Sequence, residues 1–214
     1  MIYTSNQEKI AQKLDKGSEI SSWKDWKWQL KHIVRTVEQF ENLTGIKFED
    51  EEKQSFEEVL SKFPLSITPY YLSLIDKKNF RNDPVFKQAF GSVHELQTDA
   101  SELSDPLSED QDSPVEGITH RYPDRVLFHV SNICAMYCRH CTRKRKVGDI
   151  DYVPSKDQLR KGIEYIKNTP QVRDVLLSGG DPFMLPDSMI DWLLSEIHAI
   201  PHVEVIRIGT RVPV

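Results

Sequence analysis

Apolar residues recur along this chain with two different periods, and the change falls near residue 105. Before it, Trp23, Trp26, Leu30, Ile33, Val34, Val37 and Phe40 follow a near-3.6 spacing. That spacing predicts one helix, capped by Ser21 or Ser22 and stopped near Gly45. A second helix fits 51–63, with Phe56, Val59, Leu60 and Phe63 on one face and Pro64 as its stop. Shorter helical pieces fit 69–75 and 83–90. Beyond residue 125 the pattern becomes that of strands and helices in turn. Val126 to Val130 reads as a short buried strand, 155–168 as a helix capped by Ser155, and Val172 to Leu177 as a second strand. A helix capped by Asp187 over 187–200 and a third strand over 203–208 complete the order.

Between the two patterns, DPLSEDQDSPVEGITHRYP at 105–123 holds three prolines, one glycine and five acidic residues. It reads as a loop. The expected organisation is a helical region over 1–104, a connecting loop over 105–125, and an α/β region over 126–214. Strand–helix–strand–helix–strand implies right-handed crossovers and a parallel sheet. The last strand lacks a covering helix, which suggests a segment of a longer enzyme, inactive by itself.

Composition narrows the classes. Of 214 residues, 38% are apolar and 29% charged, which suits a globular protein in water. No apolar run approaches the roughly 18 residues a bilayer span needs, so the expected setting is cytoplasmic, without a membrane. The net charge of −5 disfavours nucleic acid, although a basic cluster runs from Arg139 to Lys146.

All three cysteines, Cys134, Cys138 and Cys141, lie within eight residues. Such crowding makes a poor disulfide framework and a good metal-ligand set. A zinc site with His140 as fourth ligand is one option, but zinc ligands more usually come as two separated pairs. A 4Fe–4S cluster has four iron corners. Three thiolates would leave one corner open for a chelating ligand. The three-then-two spacing resembles the radical S-adenosylmethionine (SAM) superfamily. After the second strand come Ser178, Gly179, Gly180 and Asp181. Glycines let backbone approach a ligand closely, and members of that superfamily set a Gly-Gly-acidic segment against the methionyl amine of SAM.

His120-Arg-Tyr-Pro-Asp-Arg125, the cysteine loop, Cys141-Thr-Arg-Lys-Arg145, Ser178-Gly-Gly-Asp-Pro182 and Ile208-Gly-Thr-Arg-Val-Pro213 together resemble the lysine 2,3-aminomutase family. The resemblance implies an N-terminal helical region followed by the first three strands of a partial (β/α) radical-SAM barrel. It implies pyridoxal 5′-phosphate as a further cofactor, with Arg121, Tyr122 and Arg125 beside it. Arg143 matches the arginine that holds the substrate carboxylate, and Lys144 to Lys146 read as a solvated basic turn. The family's Schiff-base lysine has no match here. The implied reaction moves the amino group of L-lysine from C2 to C3, with an electron donor such as a ferredoxin or flavodoxin. Glutamate as substrate, an iron–sulfur or zinc module contacting RNA, and association with a second copy stay open.

Overall fold

The computed structural model describes residues 4–14, 20–97, 99, 101–148 and 153–212. Pro213, the end of the last motif, lies outside them. The chain forms two compact units, Met1–Ala100 with Ala135–Cys141, and Ser101–Cys134 with Thr142–Val214.

The first unit is helical. Its α-helices are α1 (Ser5–Leu14), α2 (Trp26–Lys31), α3 (Val37–Thr44), α4 (Asp50–Lys62), α5 (Pro69–Ser73) and α6 (Pro84–Ala89), with 3-10 turns at Ile20–Lys24, Phe80–Asn82 and Val93–Leu96. The single helix expected from Trp23 to Phe40 is broken in two. Asp25, not Ser22, caps α2 by accepting from the Lys27 amide. Val34 then pairs in an extended bridge with Ile67, and a Thr36–Gln39 capping box starts α3. Helical spacing continued through the break because an extended Val34 buries its side chain as well as a helical one would. Gly45 stops α3 in the left-handed region, at φ 78°. Helix α1 carried no sequence signal, since of its residues only Ile10 and Ala11 are fully buried. The core is aromatic: Phe40, Phe48, Phe86 and Phe90 lie with centroids 4.9–5.8 Å apart.

The second unit is an open four-stranded sheet in the order β1 (Ile118–Tyr122), β2 (Arg125–Ser131), β3 (Asp174–Gly179), β4 (Val205–Ile208). Strands β2, β3 and β4 run parallel, as the crossover pattern predicts. The loop expected over 105–125 is corrected. Its end forms β1, antiparallel to β2, with Tyr122 paired to Arg125 across Pro123-Asp124. Only Ile118 of β1 is fully buried, so the strand is polar and hides in the sequence. Helix α7 (Lys156–Lys167) begins in a Ser155–Gln158 capping box and buries Leu159, Ile163 and Ile166. Helix α8 (Asp187–His198) starts from Pro186 without a side-chain cap, so Asp187 contributes charge to the first turn and does not cap it.

Alternation along the strands gives the sheet two faces. Val126, Phe128, Val130, Val175 and Leu177 are buried in the helix-covered core. Gly162 of α7 packs against the Phe128 ring, where a Cβ would come within 2.6 Å. Leu127, His129, Leu176 and Ser178 fall on the opposite face and are half-buried.

Candidate active site

Two of the sequence-predicted segments follow the C-terminal ends of adjacent parallel strands, where α/β folds build their sites. Strand β2 leads through Asn132 and Ile133 into Cys134, and β3 ends in Ser178-Gly179 before Gly180-Asp181. The glycines serve a close approach of backbone to backbone. The Gly180 amide donates to Ser131 O at 2.5 Å and the Asp181 amide to Ile133 O at 2.8 Å. A Cβ on Gly180 would fall 2.6–2.8 Å from backbone atoms of Asn132 and Ile133. Gly179 has φ +118° and would meet the His129 ring at 2.4 Å. The Gly-Gly pair therefore fixes the segment that delivers Cys134.

Asp181 is only 4% exposed. Its Oδ1 accepts from the Phe183 amide at 3.0 Å and the Thr210 hydroxyl at 2.7 Å, and its Oδ2 from the Arg211 amide at 2.7 Å. The carboxylate thus ties the end of β3 to the residues after β4. His129, largely buried beneath these ends, contacts Asn132 Oδ1 through Nε2 at 2.6 Å. Burial pushes its pKa below the usual histidine range, and the charges of Lys146 and Arg143 act the same way.

None of the three cysteines is in a disulfide, and each is half-buried. Cys134 belongs to the second unit, Cys138 and Cys141 to the first. Among the described residues, no group of three or more His, Cys, Asp or Glu side chains is arranged to hold a single metal ion. An iron–sulfur cluster makes a different demand, one thiolate at each of several separate irons. Three cysteines on one loop, none in a disulfide, fit that demand in kind and number. His140 lies in this loop, between Cys138 and Cys141.

The arginines come together elsewhere in the second unit. A cleft of about 280 Å³ is lined by Arg121, Tyr122, Arg125, Arg143, Arg207 and Glu109, with Leu127 and Leu176 among its apolar walls. Each guanidinium has a carboxylate partner. Arg121 pairs with Asp112 at 2.7 Å, Arg125 with Asp124 at 3.3 Å, Arg143 with Glu109 at 2.7 Å and Arg207 with Asp174 at 2.7 Å. Arg121 also donates to Leu107 O. Five donors in a rigid fork let one guanidinium serve a carboxylate and a second anion together. Tyr122 is exposed, and Arg125 stands 5.5 Å over its ring.

The supposedly solvated basic turn is instead matched by the acidic segment before β1. Arg145 pairs with Asp105 and Asp110, and Lys146 with Asp110 at 3.0 Å. Arg145 and Lys146 hold the Asp110 carboxyl down to about 2. Glu109, Arg207 and Thr210 were not anticipated from sequence. The available signal was charge complementarity between the DPLSED run and the basic run that follows Cys141.

Comparison with known proteins agrees with this geometry. Residues 128–213 match the Radical SAM superfamily. The chain is 55% identical over 206 residues to an L-lysine 2,3-aminomutase of Methanococcus maripaludis, covering 96% of this chain and 48% of that one. It is 48% identical over 194 residues to the L-lysine 2,3-aminomutase of Clostridium subterminale, covering 91% and 46%. A glutamate 2,3-aminomutase of Clostridioides difficile is 40% identical over 189 residues, covering 88% and 44%. The chain spans about half the length of these curated relatives, matching their N-terminal part. By motif, fold and identity, the chain belongs to the lysine 2,3-aminomutase family of the radical SAM superfamily.

Proposed function

We propose that this chain carries the cofactor-binding half of an aminomutase that converts L-lysine to L-β-lysine. Cys134, Cys138 and Cys141 would hold a 4Fe–4S cluster by three of its corners. Ser178, Gly179, Gly180 and Asp181 would border SAM. Arg121, Tyr122 and Arg125 would hold pyridoxal phosphate, and Arg143 the substrate carboxylate. Bound together, these groups supply a reductively generated carbon radical and a carrier for the migrating amine. The protein's part is to bind and orient. Arg143 presents a charge-assisted fork to a carboxylate, and Leu127 and Leu176 give the same cleft an apolar wall. Reduction by a ferredoxin or flavodoxin, and a reducing cytoplasm that keeps the thiols from oxidising to disulfides, belong to the same reading.

The observation that carries it is one cleft shared by Arg121, Tyr122 and Arg125 of the first motif and Arg143 of the motif after the cysteines. Two anionic ligands, a phosphate and a carboxylate, are what such a cleft suits. Lysine is favoured over glutamate by the higher identity to the lysine enzymes. Contact with RNA is the weaker reading, because the chain carries a net charge of −5 and the acidic Asp105, Glu109 and Asp110 lie against the basic run.

Two measurements test this. Anaerobic reconstitution of the chain with iron and sulfide should give a brown protein whose reduced spin signal changes on adding SAM; a colourless protein would sink the cluster assignment. The full reading frame should then turn L-lysine into β-lysine, and turnover of L-glutamate instead would overturn the substrate.

A further inference from the structure

We infer that Lys9, Lys13 and Lys77 form a binding site for a small, multivalent oxyanion of the phosphate class, in the helical first unit. A recess of about 400 Å³ runs along α1, between Lys9 and Lys13 on one side and Lys77 on the other. Asn6, Lys9 and Lys13 follow an i, i+3, i+7 spacing and so share one face of α1. The far wall is Leu43 and Thr44, at the end of α3, with Lys77 beyond α5. Lys13 has a reason in the fold. Its Nζ donates to Asn42 O at 2.6 Å and Leu43 O at 3.3 Å, which answers carbonyls left open where α3 stops. Lys9 and Lys77 have no such reason. Among the described residues neither forms an ion pair, and no carboxylate lines the recess.

Lys77 is half-buried. Its burial, and the charges of Lys13 and Lys9, push its pKa below the usual lysine range. Three ammonium groups gathered without a counter-charge repel one another and oppose folding. A bound anion reverses the sign of that interaction. The lining also sets the class of ligand. Three positive charges suit an anion carrying two or more negative ones, and the Asn6 and Gln12 amides add neutral donors. The Thr44 hydroxyl is committed to Phe40 O at 2.7 Å and serves only as wall. Among the described residues Leu43 is the one apolar side chain at the recess, and no aromatic ring lies there for a base to stack on. Lysine meets phosphate as a point charge, which suits a compact anion approached from several sides without a fixed fork. Pyrophosphate and triphosphate have that shape and charge.

The test titrates the chain with pyrophosphate by calorimetry and follows urea unfolding with and without it. Lys9→Gln and Lys77→Gln are the variants, because neither removes a carbonyl contact, and Lys161→Gln on α7 is the control. Wild type and Lys161→Gln should bind saturably, and their urea midpoints should rise with pyrophosphate, but not with sodium chloride of equal ionic strength. Lys9→Gln and Lys77→Gln should each weaken binding about tenfold or more, the scale of one charge-assisted hydrogen bond. Without anion, both should unfold at urea concentrations no lower than wild type, since repulsion is relieved. Triphosphate and ATP should bind alike. Absence of saturable binding to wild type would overturn the inference, as would equal losses in all three variants, which would mark a diffuse attraction. Lower anion-free midpoints in Lys9→Gln and Lys77→Gln would show that these lysines serve the fold, and that also overturns it. ATP binding much more tightly than triphosphate would overturn the class of ligand.

Discussion

Thr210 donates its hydroxyl hydrogen to the Asp181 carboxylate across 2.7 Å, and this bond joins the end of β3 to the residues that follow β4. Asp181 also receives the Arg211 amide at 2.7 Å, so one buried carboxylate organises two neighbouring strand ends. Removing its charge should weaken both bonds. Asp181→Asn is expected to lower stability by about 1–3 kcal/mol, because its amide must face a buried N–H or displace one. Thr210→Val, which touches only the clamp, should reproduce part of any loss of SAM affinity seen in Asp181→Asn. Equal SAM affinity in Thr210→Val and wild type, measured on cluster-loaded protein, would assign Asp181 to direct contact alone.

The glycines make a second, separable prediction. A methyl at Gly180 meets the Asn132–Ile133 backbone, which cannot rotate away, whereas one at Gly162 meets the edge of the Phe128 ring. Each alanine variant should cost roughly 1–3 kcal/mol in urea unfolding, as overpacked cores do. Only Gly180→Ala should also reduce iron content after reconstitution, because only it displaces the segment that delivers Cys134. Normal iron content in Gly180→Ala would break the proposed link between the two strand ends.

The sequence disclosed the elements whose burial follows a simple period, and it missed those that depend on pairing across the chain. Helices α4 and α7 and strands β2 to β4 announce themselves because their apolar residues fall at regular spacing. Strand β1 does not, since its Thr119, His120 and Arg121 are held by ladder bonds and partners, with Asp112 on Arg121 and Tyr165 on His120. The break at Val34 escaped for a related reason: its cause is Ile67, 33 residues away. Site chemistry was legible where it lies in contiguous motifs. The carboxylates that hold those motifs, Glu95 on Arg139 and Glu109 on Arg143, come from segments with no motif of their own.

Glu109 and Asp110 are adjacent but differently placed, which predicts unequal costs. Glu109 is 7% exposed and grips Arg143, while Asp110 is 60% exposed and serves Arg145 and Lys146. Glu109→Gln should destabilise the chain by about 1–3 kcal/mol, and Asp110→Asn, being exposed and screened, by clearly less. Raising the salt concentration should erase the smaller effect and leave most of the larger. Urea titrations at low and high salt check both. Equal costs would mean that the acidic segment acts only as a diffuse counter-charge to the basic run.

The last prediction concerns pH. His129 is held below its ordinary value of 6.5, chiefly by burial, and Lys146 and Arg143 add to that effect. The unfolded chain therefore takes up this proton at a higher pH than the folded chain. Stability from the neutral imidazole is fully present above about 6.5 and is lost as the pH falls from there toward the folded value. Asp110 works in another window. Its carboxyl, held at about 2 against 3.8 when unpaired, contributes stability above about 4 that disappears only between there and about 2. Urea midpoints followed from pH 8 to pH 3 should thus fall in two stages. His129→Gln keeps a donor for Asn132 and has nothing to titrate, so it should flatten the upper stage and leave the lower one. Asp110→Asn should leave the upper stage and shrink the lower one without abolishing it, because Asp105 and Glu41 are also held below their ordinary values. An upper stage that survives in His129→Gln would show that another group is the source of that dependence, and that the imidazole stays uncharged at no cost to the fold.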